Sequence, residues 1–197
     1  MHEMTPAQLN VIRIIQDEHE SLTSVIHGMR YFTHAIEQGG KTPDLRLFRA
    51  MLVYMNDYPE RVHHPKEDRY LFARLRKRTS EMDLTLAELE YQHAQGAGLT
   101  HALQHALARF EFEGLPAFPA LRRLVDKYAQ FYLRHMEIEE GPILSAAARF
   151  LTAQDWLAIE AAFSEIPDPL TGALIRNDFA KLFSSAEIPP NAEKRPD

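Results

Sequence analysis

Four stretches of roughly thirty residues repeat apolar side chains at spacings of three and four, and turn signals separate them. This period requires amphipathic helices, and no alternating strand pattern occurs along the chain. Helices of this length joined by short loops can bury their stripes only against one another. The expected fold class is therefore all-α: an antiparallel up-down four-helix bundle with one short C-terminal helix and a tail.

Turn chemistry sets the boundaries. Thr5-Pro6 with Gln8 reads as an N-cap, a Pro at the first helical position and a capping box. Gly39-Gly40 closes this first helix. Thr42-Pro43 opens the second, whose basic last turns (Arg74, Arg76, Lys77, Arg78) suit the negative end of the macrodipole. The third is expected from Ser80 to Gly114, and the fourth from Pro116–Pro119 to near Phe150. Thr152 with Asp155 caps a short fifth helix through about Ser164, which Pro167, Asp168 and Pro169 break. A weaker helix over Leu174 to Phe183 and a polar, Pro-rich end follow. One domain is expected over residues 1–172, with 173–197 a weak helix and disordered tail. Pro65 lies inside the second helix, where its missing donor should kink or widen the coil.

Composition narrows the chemistry. The 197 residues contain no Cys, which excludes disulfides, thiolate metal sites, Cys-ligated clusters and Cys nucleophiles. Lys plus Arg total 22 against 28 Asp plus Glu, and the net charge of −6 argues against nucleic acid as a partner. No apolar run approaches the ~18 residues of a membrane span. The opening MHEMTPAQLN lacks the basic-then-apolar order of a secretory signal. Neither nucleic acid nor membrane is an expected partner, and the cytoplasm is the expected location.

Ten His is an unusual number, and their placement is more telling still. The first stripe reads Leu9, Ile12, Ile15, His19, Leu22, Ile26, Met29, and the second Leu45, Phe48, Leu52, Met55, His63, Glu67, Leu71. The third reads Leu86, Leu89, His93, Thr100, Leu103, Leu107, and the fourth Leu121, Leu124, Tyr128, Phe131, His135, Ile138, Glu139, Ile143. One His interrupts every stripe, and in two of them a Glu follows four residues later. At ~1.5 Å rise per residue these six polar residues all fall between about 15 and 24 Å from one end of the bundle. A lone inward His is usually a hydrogen-bonded core residue. Two buried carboxylates among four imidazoles, with no basic partner on the stripes, are costly unless they bind metal. Neutral imidazoles then donate nitrogen, and the carboxylates supply compensating charge. The i, i+4 spacing puts His and Glu one turn apart on one face, so both reach one centre, and carboxylates from facing helices can each bridge two ions. Nitrogen and oxygen donors without sulfur favour iron or manganese over a soft metal or a structural zinc, and redox-active iron is the first expectation, manganese and zinc following it.

The segments VHHPKEDRYLF, EYQH and RHMEIEEGPIL resemble the HHE cation-binding domain of the hemerythrin-like family, and DEHE around His19 fits its first helix. LTAQDWLAIEAAF and DPL are similar to the C-terminal helix and tail of bacterial members, so the resemblance covers residues 5–172. It implies a non-haem di-iron centre with five or so His and two bridging carboxylates, the ions joined by an oxo or hydroxo bridge. Carried over by position, His19 and His63 serve one iron, His93 and His135 the other, and Glu67 and Glu139 bridge. In hemerythrin the last carboxylate lies five residues after its His, which here is Glu140. On a regular helix Glu140 lies ~140° from His135 and Glu139 only ~40°, which favours Glu139 and leaves Glu140 in reserve. The family's second His of the third helix is replaced by Ala97, leaving the second iron one protein ligand short. His64 is the protein candidate for that place, with a water as the alternative, and the departure argues against reversible oxygen carriage.

The expected function is a di-iron protein that binds or reacts with oxygen, nitric oxide or peroxide, in sensing, stress defence or iron handling. A ferritin-like di-iron oxidase is one alternative, since Glu60-x-x-His63 and Glu90-x-x-His93 occur. A regulatory module whose metal is structural is another. The expected partner is a small diatomic or peroxide ligand, and a homodimer is compatible with the sequence. Gly39-Gly40-Lys41-Thr42 is a helix cap and not a phosphate loop, because Ala35 stands where the first Gly is needed and a helix precedes it. RLRKR reads as a solvated helix end. His27, His34, His101 and His105 lie about 9–22 Å from the donor layer on the same ruler and read as surface or packing residues. Tyr70, Tyr128, Phe131 and Tyr132 flank the layer mainly as core, though one Tyr could bond a metal-bound oxygen.

Overall fold

The computed structural model describes residues 4–39 and 43–170, and every regular element among them is helical. Helix α1 (Pro6–Glu37) starts where Thr5 Oγ1 accepts the Gln8 amide at 3.2 Å. It ends before Gly39, whose φ of 70° is the left-handed conformation that glycine takes without a Cβ penalty. The second rod begins at Leu45 and not at Pro43, because the Asp44 side chain caps it by accepting the Arg46 amide at 2.9 Å. Its segments are α2 (Leu45–Asp57), a π turn (Pro59–His63), the single turn α3 (His64–Lys66), a second π turn (Glu67–Phe72) and α4 (Ala73–Arg78).

Helix α5 (Asp83–Glu113) starts later than Ser80. The Ser80 carbonyl instead accepts from the Asp83 amide and the Thr79 hydroxyl from the Glu81 amide, which makes a turn of these residues. A 3-10 turn (Leu115–Ala117) leads into α6 (Phe118–Ile138), a third π turn (Glu139–Ile143) and α7 (Leu144–Phe150). Helix α8 (Ala153–Glu165) opens on the capping box of Thr152 and Asp155. The helix expected over Leu174 to Phe183 and the tail lie outside the described residues.

Two of the three π turns contain a Pro, and Pro65 lies two residues before the other. Proline cannot donate its nitrogen and crowds the carbonyl four residues back. The coil yields by widening, so amides reach five residues back: His63 to Tyr58, His64 to Pro59, Ala73 to Asp68 and Leu144 to Glu139. Pro59 opens the first π turn, Pro65 sits between the first two, and Pro142 lies inside the third. The widening expected at Pro65 is thus present on both sides of it.

The rods form a helical bundle in which α1 packs against α2, α6 and α8, while α5 packs against α6 and α2. The core is divided in two. One apolar cluster includes Leu22, Ile26, Met29, Phe48, Leu52 and Leu107. The other includes Val11, Ile15, Phe72, Leu86, Leu89 and Trp156. Between them lie His19, His63, Glu67, His135 and Glu139, each 2% exposed or less. Leu9, expected on the inward stripe, is instead 50% exposed. The inward face follows His19 back in fours through Ile15, Val11 and Ala7, and Leu9, two residues from Val11, falls on the far side of the helix. Among the described residues, no helix is long and apolar enough to cross a membrane.

Candidate metal centre

The donor side chains come from all four rods. Helix α1 supplies His19, the two π turns of the second rod supply His63 and Glu67, and α5 supplies His93. His135 comes from the end of α6, and Glu139 is the first residue of the π turn that follows. Their inner atoms converge in two sets. His19 Nε2 lies 3.2 Å from His63 Nε2, and His93 Nε2 lies 3.1 Å from His135 Nε2.

Each carboxylate spans both sets. Glu67 turns Oε1 toward His63 and His19, at 3.4 and 3.9 Å, and Oε2 toward His93 at 3.7 Å. Glu139 turns Oε2 toward His19 at 3.4 Å, and Oε1 toward His135 and His93 at 3.2 and 3.5 Å. His19, His63, Glu67 and Glu139 offer donor atoms all within 4.8 Å of one another, and so do Glu67, His93, His135 and Glu139. Glu140, the reserve carboxylate, stays outside this layer. Its side chain is 41% exposed, and its Oε1 meets the outer nitrogen of His19 at 2.8 Å.

The outer nitrogens explain the orientation of the rings. His63 Nδ1 lies 2.6 Å from Glu18 Oε2, His19 Nδ1 2.8 Å from Glu140 Oε1, His93 Nδ1 2.9 Å from Asp68 Oδ1 and His135 Nδ1 2.9 Å from Gln92 Oε1. Each of these oxygens accepts, so each Nδ1 carries the proton and donates. In the neutral rings, every Nε2 is then a lone pair aimed at the lone pair of its neighbour. Glu18 is fully buried and itself receives the Tyr58 hydroxyl at 2.6 Å. Sequence reasoning missed Glu18, Asp68 and Gln92 as ring anchors. Their signal was adjacency, because each stands next to a donor in the chain.

Without metal, protons must fill the space between the rings. Burial opposes a charge on His19, but Glu139 and Glu140 outweigh it and push the ring up to about 9. On His93 burial is likewise outweighed, by Asp68 and Glu139, and the ring again reaches about 9. His63 is lowered, because its burial exceeds the pull of Glu18. Burial and the neighbouring charge of Glu139 hold Glu67 well above the usual carboxylate range. Glu139, equally buried, is held well below it by His135, His19 and His93.

A family model described as the hemerythrin HHE cation-binding domain matches residues 10–147, a span that includes every one of these donors. The chain belongs to the hemerythrin HHE family. Searches of curated proteins and of solved structures returned no match. A cation suits the chemistry of this HHE layer. All four carboxylate oxygens of Glu67 and Glu139 are buried without a hydrogen-bond partner, as are both nitrogens of His64, whereas buried polar atoms nearly always have one.

His64 lies beside the second set and not among the outer groups. Its ring stacks on His93, with centroids 4.3 Å apart and planes at 10°, and its donor nitrogen groups with those of His93 and His135 within 4.8 Å. Ala97, where the HHE resemblance places a ligand in other members, faces solvent on α5. His27, His34, His101 and His105 are all exposed and take no part.

Proposed function

We propose that this chain is a non-haem di-iron protein that binds or reacts with a small ligand of the oxygen, nitric oxide or peroxide kind, in sensing, stress defence or iron handling. His19 and His63 hold one ion, His93 and His135 hold the other, and Glu67 and Glu139 bridge them across an antiparallel up-down four-helix bundle. The observation that carries this reading is the orientation of four imidazoles. Their Nδ1 protons are all committed outward, so the Nε2 lone pairs meet in pairs 3.1 and 3.2 Å apart, with two carboxylates between them that lack hydrogen-bond partners. Only a positive charge stabilises that arrangement, and nitrogen and oxygen donors suit iron.

His64 would join the second set, in place of the ligand absent at position 97, so that the second ion would be held by three imidazoles and the first by two, each beside Glu67 and Glu139. The first ion would have fewer protein donors and so would offer the more open coordination position to a small ligand. When bound, the two ions supply electrons and a coordination position for that ligand. The protein's part is to hold the rings at fixed angles through Glu18, Glu140, Asp68 and Gln92, and to keep water out with the apolar clusters on either side. Helix α8 belongs to the same domain, since Trp156, Ile159 and Phe163 complete the second cluster.

The ferritin-like alternative needs Glu90 as an inward donor, but Glu90 is paired with Arg76 at 2.8 Å and its side chain is 41% exposed. Protein produced with iron tests the proposal, by metal analysis and by absorption spectra before and after oxygen. Two irons per chain with an oxygen-dependent visible band support it, and well under one iron per chain with no band refutes it.

A further inference from the structure

One buried acid beside the metal layer has no role in the scheme above. Glu60, in the π turn Pro59–His63, has a side chain only 5% exposed. Its Oε1 accepts the Tyr132 hydroxyl, and its Oε2 lies 3.7 Å from His64 Nδ1. Gly96 on α5 makes the room for this pair. A Cβ at position 96 would collide with both Glu60 oxygens and with the Tyr132 hydroxyl. The inward place one turn beyond His93 is therefore filled by a carboxylate and a phenol from two other rods, while Ala97 looks outward.

We propose that Glu60, held by Tyr132 in the Gly96 recess, is the positioning residue that makes His64 a fifth metal-binding imidazole. The inference rests on the di-iron reading above. Four imidazoles of the layer pass an Nδ1 proton to an outer oxygen at 2.6–2.9 Å. His64 is the fifth ring at the layer, 2% exposed, and its two nitrogens have no hydrogen-bond partner. Its Nδ1 faces Glu60, and an approach of about 0.8 Å brings that contact to hydrogen-bond length. Nε2 is then left to join His93 and His135, with which His64 already groups. The recess thus allows a second-rod imidazole to take over from the third-helix ligand that this chain lacks. Gln92 holds His135 through an amide oxygen, so a neutral acceptor is sufficient for this role here.

That last point sets the test. Wild type, Glu60→Leu, Glu60→Gln, Tyr132→Phe and His64→Leu are titrated with ferrous iron under anaerobic conditions. Ions per chain and the affinity of each are read, with the melting temperature of every metal-free protein alongside. Glu60→Gln keeps an acceptor oxygen and is expected to bind two ions with near wild-type affinity. Glu60→Leu and His64→Leu are expected to weaken one ion about 10- to 100-fold, the usual effect of losing a ring-orienting partner or more, while the other ion is retained. Metal-free Glu60→Leu should melt within a few degrees of wild type, because relief of a buried acid offsets the loss of the acceptor for the Tyr132 hydroxyl. If it melts lower than that, Tyr132→Phe decides: a weakened second ion supports the inference, and two unchanged ions overturn it. Two wild-type-like ions in Glu60→Leu overturn it too, as does Glu60→Gln behaving like Glu60→Leu. Those outcomes leave the di-iron reading standing, whereas a wild type that binds no iron removes both.

Discussion

Replacing Glu67 with Leu should strengthen the metal-free protein and remove its response to metal. Glu67 is 0% exposed, its oxygens have no hydrogen-bond partner, and the nearest imidazole nitrogen is 3.4 Å away. Burial, the charge on Glu139 and a hydrogen bond that the proton makes to it keep Glu67 protonated, so the metal-free core carries a buried neutral acid with at most one of its oxygens satisfied. Such a group costs about 1–3 kcal/mol, and an apolar side chain of similar size relieves that cost. For a chain of this length each kcal/mol moves the melting temperature by about 2–4 °C, so the metal-free variant should melt about 2–12 °C above wild type.

Wild type should gain about 2.7 kcal/mol from iron at a hundred times its Kd, a rise of similar size, whereas the variant should gain far less. The pH trend has a definite sign. The folded pKa of Glu67 is raised, so the folded metal-free state holds a proton that the unfolded chain releases, and stability falls as pH rises above the ordinary carboxylate range. The advantage of Leu should therefore grow from about pH 4.5 toward neutrality. Calorimetric melts of both proteins, with and without iron, measure all of this. A metal-free variant that melts below wild type, or one that still rises with iron as wild type does, would refute the reasoning.

Further outcomes are expected. His19 and His93 are raised to about 9, so their contribution to metal-free stability is full below about pH 6.5 and is lost as pH rises through 9. Metal must displace those protons, so titration calorimetry at pH 7.5 in buffers of different ionisation enthalpy should show proton release; buffer-independent heats would contradict the site. His63→Ala should lose one or both ions, and two fully occupied irons in that variant would sink the ligand assignment. Thr152→Ala removes one half of the capping box on α8 and should cost about 1 kcal/mol, seen as faster amide exchange in its first turn. Lys66→Met leaves the Phe163 and Ile166 carbonyls at the end of α8 without their ammonium donor. It should cost about 1–3 kcal/mol in melting experiments, with faster exchange in the last turn of α8.

The bundle and its donor layer were legible because their signals are periodic and local. His63 and Glu67 flank the regular turn α3, and only regular α6 winding separates His135 from Glu139, which follows its last residue, so the i, i+4 rule held for both pairs. Caps at Thr5 and Thr152 were readable for the same reason. The start of α5 was misplaced because Ser80 resembles a cap but spends its carbonyl on a turn, and Leu9 was misread because only the packed structure selects one of two overlapping apolar faces. The π turns escaped a ruler that assumes constant winding, apart from the hint at Pro65. The ring anchors were hidden for a different reason. An acid beside His on a helix is ordinarily solvated, and Glu18 reaches His63 across 45 residues of sequence, just as Gln92 reaches His135 across 43. Gly96 looked like a weak helical residue until Glu60 and Tyr132 were seen to occupy its missing side chain.

The π turns make loop-like length constraints out of the middle of two rods. Each carries one residue more than an α turn, so the segments on either side are about 100° out of phase. Excising a single residue between Tyr58 and His63 would give a better-wound helix and rotate His63 and Glu67 away from their partners on α1 and α5. A chain with all the same His and Glu but one residue fewer there would keep the motif and lose the cage. Residue count between the donors is as much part of the recognition chemistry as the donors themselves.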